Sequence, residues 1–144
     1  MLILGSFPST ASLAAQQYYA HPQNRFWCIL GAVIGQPLRQ MDYPARITAV
    51  QAAGIAIWDV FASCERAGSL DTAIRDARPN PLSSLKESAP ALRRICFNGR
   101  MAARRIREVE ALGFEAVVLP STSPAHAGMS FEEKLQRWCE GITG

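Results

Sequence analysis

Four short runs of consecutive apolar residues most constrain how this chain can fold. They are Leu2 to Leu4, Ile55 to Trp58, Ile95 to Phe97 and Ala116 to Leu119. Segments with the helical spacing of apolar residues separate these runs. Strands that are apolar on both faces and alternate with helices are typical of a parallel sheet covered by helices on each side. The sequence therefore predicts an α/β fold.

Helix start and stop signals mark the segments between these runs. One predicted helix runs from Asn24 to Ile34, another runs from Tyr43 to Ala53, and Ser130 opens the last one with a capping-box pattern. The segment from Ala62 to Ala89 is less regular, and we expect a loop-rich crossover there. Its short helices are predicted at Ser69 to Ala77 and Pro81 to Ser88. A chain of 144 residues, 49% of them hydrophobic, predicts one domain over residues 1–144.

The formal net charge is only +3, but the basic residues are unevenly distributed. One short stretch contains Arg93, Arg94, Arg100, Arg104, Arg105 and Arg107. On a helix after Gly99, the spacing of Arg100, Arg104 and Arg107 places them on one face. Such a face either binds phosphates or is simply exposed to solvent, and the sequence leaves both interpretations open.

Cysteine usage and hydropathy exclude several classes of protein. Cys28, Cys64, Cys96 and Cys139 are scattered without a C-x-x-C pair, so we expect no metal site and no iron–sulfur cluster. Cys28 and Cys96 lie among apolar residues and are predicted to be reduced and buried. No apolar run reaches the roughly 20 residues that span a bilayer. We therefore expect a cytoplasmic protein without a membrane segment.

Ligands of open parallel sheets bind beyond the carboxyl ends of the strands. This rule selects four segments, Gly5 to Ser9, Asp59 to Ser63, Asn98-Gly99 and Pro120 to Gly128. In the first segment, Gly5 lets backbone approach a ligand closely, and Ser9 is suited to cap the next helix. A cap at this point would leave N–H groups facing the site. The turn by itself is also compatible with a plain strand-to-helix connection.

Residues 17 to 27, with the sequence QYYAHPQNRFW, combine aromatic rings, an imidazole, amides and a guanidinium. Aromatic faces beside amides suit stacking on a nucleobase and hydrogen bonding to its edge. We assign Phe26 and Trp27 to the core. Asn24 has two interpretations, as a site residue or as the N-cap of the following helix, since Asn is a favoured cap. It serves both only if its carbonyl and its amide have different partners.

The segment from Leu119 to Gly128, LPSTSPAHAG, places small hydroxyl residues between two prolines. A rigid loop with several donors is suited to bind a phosphate through its hydroxyls and backbone N–H groups. The chain contains neither a G-x-S-x-G elbow nor a G-x-x-x-x-G-K-[ST] motif. The sequence therefore gives little support to a serine hydrolase or a P-loop nucleotide-binding protein.

Three motifs, Gly5 to Ser9, His21 to Trp27 and Leu119 to Ala125, together resemble the uracil-DNA glycosylase superfamily, most closely its hypoxanthine-DNA (deoxyinosine) glycosylase branch. The second motif is also similar to the mismatch-specific uracil and thymine glycosylases. The resemblance implies a three-layer α/β/α fold whose four-stranded parallel sheet has the order 2-1-3-4. It also implies base flipping and hydrolysis of an N-glycosidic bond without a metal or other cofactor. The expected partner is DNA that contains a deaminated base, and we expect a monomer.

The resemblance also suggests roles for individual residues. Relatives often place a water-activating Asp or Asn just before the proline of the first motif, where this chain has Phe7. The hypoxanthine branch uses an Asn in the second motif instead, which corresponds to Asn24, and Tyr19 matches an aromatic stacking position. We further expect contacts with the base from Ser6, Phe7, Pro8, Asp59 and Asn98. Contacts with DNA are expected from Ser9, Ser121, Thr122, Ser123, Pro124, Ala125 and His126.

Four interpretations remain open at the level of sequence. The preferred base is hypoxanthine in the first interpretation, and uracil, alone or in a G/U mismatch, in the second. Because Phe7 occupies the usual catalytic position, a non-catalytic nucleic-acid-binding relative is the alternative from another class. A serine-type hydrolase would need a base beside Ser9 or Ser121, and only His21 and His126 are histidines.

Overall fold

A computed structural model of the chain describes residues 1–5, 17–20, 23–59, 61–65, 75–79, 82–123 and 128–143. For residues 59, 61–65 and 75–79 the description covers the backbone only. In chain order the elements are β1 (Leu2–Gly5), α1 (Phe26–Ile34), α2 (Tyr43–Ala52), β2 (Ala56–Asp59), β3 (Phe61–Glu65), β4 (Arg75–Pro79), α3 (Leu85–Ser88), β5 (Arg94–Asn98), α4 (Ile106–Ala111), β6 (Glu115–Leu119) and α5 (Phe131–Thr143). Short 3₁₀ helices cover Leu38–Gln40, Leu82–Ser84 and Ala102–Arg105.

The central sheet is parallel and has the strand order β2-β1-β5-β6. Counted along the chain among these strands, this is the expected order 2-1-3-4, and each of the four apolar runs forms most of one strand. Gly5 pairs with Asp59 and Asn98 pairs with Leu119, so the strands end together at one edge. The three-layer α/β/α prediction is confirmed.

The two faces of the sheet carry different parts of the core. Alternation along β1 places Leu2 and Leu4 in one cluster, with Val109 of α4, and Ile3 in the other, with Phe26 of α1. The second cluster also contains Trp138 of α5, whose side chain is completely buried. Burial on both faces explains why the strands are continuous apolar runs rather than alternating ones.

A second, two-stranded antiparallel sheet corrects one prediction. β4 pairs with β3, with Phe61 opposite Pro79 and Glu65 opposite Arg75. The predicted helix from Ser69 to Ala77 is therefore wrong at residues 75–77, and residues 69–74 lie outside the described chain. The polar sequence of β4 gives no local strand signal, because pairing with β3 decides its conformation. The short helix predicted at Pro81 to Ser88 is confirmed by the Leu82–Ser84 turn and α3.

Trp138 connects α5 to the carboxyl edge of the sheet. Its indole Nε1–H donates to the carbonyl oxygen of Pro120 at 2.9 Å, and its ring lies edge-on to Phe26, with centroids 5.8 Å apart. The buried N–H is thus satisfied by the loop that follows β6. The packing of α5 on α1 and the position of this loop therefore depend on one side chain.

The cysteines divide into two environments. Cys96 is fully buried on β5, as predicted, whereas Cys28 is only half-buried. The prediction of a buried Cys28 is wrong because its position on α1 leaves the sulfur beside the guanidinium of Arg39, with 3.5 Å between Sγ and Nη1. Burial raises the pKa of the Cys96 thiol to about 11, and the charge of Arg94 only partly opposes this.

We expect Cys96 to resist alkylation by iodoacetamide at pH 8 in the folded protein, while Cys28 and Cys139 react. The raised pKa also keeps the Cys96 thiol protonated in the folded protein at a pH where the unfolded chain has lost that proton. The free energy of unfolding that is present below pH 9 therefore declines as the pH rises towards 11. Mass spectrometry of the alkylated protein, before and after urea denaturation, measures the first effect. Modification of Cys96 at the same rate as Cys139 in native buffer would contradict it.

Candidate functional site

The carboxyl ends of the parallel strands meet the loop that follows β6 and the segment that precedes α1. Gly5, Asp59, Asn98 and Leu119 are the last residues of the four strands. The backbone N–H of Arg25, just before α1, donates to the carbonyl oxygen of Thr122 at 3.1 Å. Segments that are distant in sequence therefore join at this edge, where the topology of an open α/β sheet favours a ligand site.

A set of hydrogen bonds around Thr122, which we call the Thr122 bridge, holds these segments together. Asn98 donates from Nδ2 to Thr122 Oγ1 and accepts at Oδ1 from the Thr122 N–H, both at 3.0 Å. The Thr122 carbonyl accepts from the Arg25 N–H. Thr122 is completely buried and Asn98 is 8% exposed, so both residues need these partners. The bridge connects β5, the loop after β6 and the start of α1.

Gly99 allows the same loop to approach β5 closely. Its φ is 93°, and its N–H donates to the carbonyl oxygen of Leu119 at 2.9 Å. A Cβ added at this position would lie 3.0 Å from the Cβ of Ser121. The Ser121 hydroxyl accepts from the Ser123 N–H at 3.1 Å, which shapes the loop locally. Two of the expected DNA contacts, Ser121 and Ser123, thus lie half-buried beside the sheet edge.

Asn24 lies half-buried immediately before α1. Its Oδ1 accepts from the backbone N–H of Phe26 at 2.9 Å, although the helix cap itself is Arg25, which makes no side-chain cap bond. The interpretation of Asn24 as the N-cap is therefore wrong, because the helix begins one residue later and Arg25 is its cap. The Asn24 side chain instead stabilises a turn around residues 24–26. A carbonyl oxygen has two lone pairs, so the side chain retains one acceptor position as well as its amide donors.

Tyr19 has a left-handed backbone, with a φ of 55°, which is uncommon for a residue other than glycine. Its ring stacks on Phe26 with centroids 3.8 Å apart and planes inclined by 15°. Phe26 is fully buried and covers one face of the Tyr19 ring. A base that stacks on Tyr19 would therefore use the opposite face.

Arg25 has surroundings that the sequence did not reveal. Its guanidinium lies over the ring of Phe131, with 5.4 Å from Cζ to the centroid, and its side chain is exposed. Lys134, one turn after Phe131 on α5, is 5% exposed. Desolvation lowers the pKa of Lys134, and the positive charge of Arg25 lowers it further. The only sequence signal was that Arg25 belongs to the second motif.

The remaining predicted site residues lie beyond the side chains that the structure describes. Asp59 is described by its backbone alone, at the end of β2. The expected site residues outside the described chain are Ser6, Phe7, Pro8, Ser9, Pro124, Ala125 and His126. In the part of the chain that the structure does describe, no three metal-ligating side chains form a group, and no helix is long and apolar enough to cross a membrane.

Comparison with protein families supplies the decisive observation. The family model of the uracil DNA glycosylase superfamily matches residues 1–140. The chain belongs to this superfamily. The resemblance carried by the three motifs is thereby confirmed over almost the full length.

Several members of the superfamily are similar to this chain. A protein of Methanosarcina acetivorans named hypoxanthine DNA glycosylase is 44% identical over 130 residues, which cover 90% of this chain and 82% of the relative. A protein of the same name from Methanosarcina barkeri is 39% identical over 142 residues, covering 99% and 89%. A solution NMR structure from M. acetivorans, described provisionally as a uracil DNA glycosylase, superimposes with a TM-score of 0.87 at 42% identity, over 96% of this chain and 86% of that chain.

Replacing Thr122 by Val removes the hydroxyl that accepts from Asn98 and leaves a buried amide donor unsatisfied. We expect the free energy of unfolding to fall by about 1–3 kcal/mol, since Val has nearly the same shape as Thr. Urea denaturation measures the change.

Thr48→Val is the matched control, because the Thr48 hydroxyl is exposed and bonds only to the Pro44 carbonyl of its own helix. We expect a change within about 0.5 kcal/mol for this variant. Equal losses for the two variants would show that the hydrogen bond from Asn98 to the Thr122 hydroxyl adds nothing to the free energy of unfolding.

Proposed function

We propose that this chain is a monofunctional DNA glycosylase that hydrolyses the N-glycosidic bond of a deaminated base, with hypoxanthine in deoxyinosine as the preferred base. Membership of the superfamily and two relatives named hypoxanthine DNA glycosylase support the proposal. The observation that carries it is the tie between the Asn24–Phe26 segment and the loop after β6 through Thr122. We further propose that the enzyme acts as a monomer in the cytoplasm.

Access to the glycosidic bond requires the nucleotide to leave the base stack. The loop that begins at Ser121 is the proposed contact with the DNA backbone, through hydroxyl and backbone N–H groups. Thr122 itself does not contact DNA in this proposal, because its side chain is buried against Asn98. It fixes the position of the loop instead. Damaged and mispaired bases stack poorly, so they flip most readily.

Bond cleavage creates an oxocarbenium-like sugar and an anionic base. We propose that Asn24 orients the attacking water through the second lone pair of Oδ1, since the first accepts from the Phe26 N–H. This proposal departs from the sequence-based expectation that the two roles need separate partners for the carbonyl and the amide, because one carbonyl oxygen can accept two hydrogen bonds. An uncharged amide is a weak base, so its contribution is positioning. The turn that engages one lone pair also fixes the direction of the other, which suits this task.

The base would stack on the face of Tyr19 that lies opposite Phe26. Donors near the departing base stabilise its developing charge. Asn98 uses its carbonyl and one amide N–H within the Thr122 bridge, so it has one N–H to offer. The backbone N–H groups of Ser6 and Phe7 are the other proposed donors, with Pro8 in the same wall and Asp59 as the acceptor for N1–H of hypoxanthine.

Three exposed arginines after β5 add a proposed contact with the DNA backbone. The prediction that they share one face of a single helix is wrong, because Arg100 precedes the Ala102–Arg105 3₁₀ helix, Arg104 lies within it and Arg107 lies on α4. Arg100 directly follows Gly99 at the site edge, and Arg104 and Arg107 are exposed further along the chain. Arg105 instead forms an ion pair with Glu108 at 2.6 Å. Exposed guanidinium groups attract phosphates without reading the sequence.

The first test compares duplexes that contain inosine, uracil or xanthine under single-turnover conditions. We expect the fastest release from inosine. Fastest release from the uracil duplex would make uracil the preferred base instead of hypoxanthine. Binding to an abasic site without any base release would support a non-catalytic relative. Activity on simple esters alone would instead indicate a hydrolase of another class.

The second test concerns Asn24. Asn24→Ala should reduce the single-turnover rate on inosine by about a hundredfold or more, because the water loses its positioning group. Asn24→Ser is the control for structure, since a serine hydroxyl also accepts from an N–H two residues later. We expect Asn24→Ser to recover stability but not activity. If Asn24→Ala cleaved at nearly the wild-type rate, Asn24 would have no role in catalysis.

The third test replaces Arg100, Arg104 and Arg107 together by Gln. We expect weaker binding to any duplex, and a salt dependence of log Kd that is shallower by about 0.9 for each phosphate that the variant no longer binds. Arg105→Gln is the control, because this guanidinium is already paired with Glu108. An unchanged salt dependence in the triple variant would mean that these three arginines are simply solvated.

A further inference from the structure

Arg25 is held from two sides at the site edge. Its backbone is fixed by the bond to the Thr122 carbonyl, and its guanidinium lies 5.4 Å from the centroid of the Phe131 ring. A cation over an aromatic face is attracted by the ring and has less freedom to move. Arg25 thus presents an exposed, ordered guanidinium directly beside Asn24.

The guanidinium of Arg25 forms no ion pair with any described residue. Glu133 of the same region instead pairs with Arg137 at 3.4 Å. The buried Lys134 is close enough for the two positive charges to repel. The first turn of α5 carries Glu132 and Glu133, both exposed, so they offset this charge only through solvent. The exposed guanidinium of Arg25, without an ion pair among the described residues, is therefore suited to bind an anion.

We propose that Arg25, supported by Phe131, binds a phosphodiester group of the DNA strand that carries the flipped nucleotide. The inference rests on the proposed function, since it takes DNA as the substrate. A planar guanidinium donates two parallel hydrogen bonds to phosphate oxygens, which fixes orientation as well as position. Because Arg25 follows Asn24 in the chain, the proposed phosphate site and the proposed water-orienting amide belong to the same segment before α1.

The experiment uses a duplex with a tetrahydrofuran abasic analogue, which the enzyme binds without cleaving. Kd is measured from low to moderate salt for the wild type, Arg25→Gln and Arg25→Lys. Because Arg25→Gln binds one phosphate fewer, its salt slope of log Kd should be smaller by about 0.9. Arg25→Lys should keep the slope but bind more weakly, because an ammonium lacks the planar pair of donors.

Phe131→Leu tests the support of the guanidinium, since it keeps an apolar side chain but removes the ring. We expect weaker binding in the wild-type background and no further effect in the Arg25→Gln background, because the ring acts through Arg25. Arg137→Gln is the matched control on the same helix, as this arginine is exposed and paired with Glu133. We expect it to leave the salt slope unchanged. Urea denaturation confirms that each variant is folded.

Two results would overturn the inference. One is a salt slope in Arg25→Gln equal to that of the wild type, and the other is an equal reduction of the slope in Arg137→Gln. The proposed function has its own readout, the release of bases from the oligonucleotide panel. Base release by the wild type with an unchanged slope in Arg25→Gln would reject the phosphate site alone. A changed slope without base release would reject the glycosylase activity and retain the phosphate site.

Discussion

The buried pairing of Asn98 with Thr122 is the interaction on which the rest of the site depends. Thr122 is completely buried and Asn98 nearly so, and each satisfies polar groups of the other. The Thr122 carbonyl then takes the N–H of Arg25, so that three segments from distant parts of the chain meet. Because an unpaired buried amide is costly, the segments have little freedom to separate. The hydrogen bonds around Thr122 thus hold the segments of the proposed site together.

Packing behind the site supports the same geometry. Phe26 is covered by Tyr19 on one side and contacts Trp138 edge-on, while Trp138 donates to the Pro120 carbonyl. A single buried aromatic group therefore connects α1, α5 and the loop after β6. Tyr19 and Asn24 both contact Phe26, the first through its ring and the second through Oδ1. These contacts orient the proposed stacking face of Tyr19 and the proposed acceptor of Asn24.

Positively charged side chains surround the proposed site. The core beneath the site is apolar, and the cations are placed around its rim, with Arg25 before α1 and Arg100 after β5. Neither arginine has a carboxylate partner among the described residues, whereas Arg105 and Arg137 do. Cations without such partners attract a polyanion most strongly. We therefore expect affinity to come from the rim and chemistry from the neutral amide of Asn24.

The sequence by itself determined the sheet and the motifs. Apolar runs such as Leu2 to Leu4 form strands because burial on both faces demands it, and Asn24 and Thr122 were recognised through their motifs. Tertiary structure decided what depends on contacts between distant residues. It paired β4 with β3 despite a polar sequence, committed most of the Asn98 side chain to Thr122, and placed Arg25 over Phe131. No local pattern encodes these contacts, because each partner is supplied by a different element of the fold.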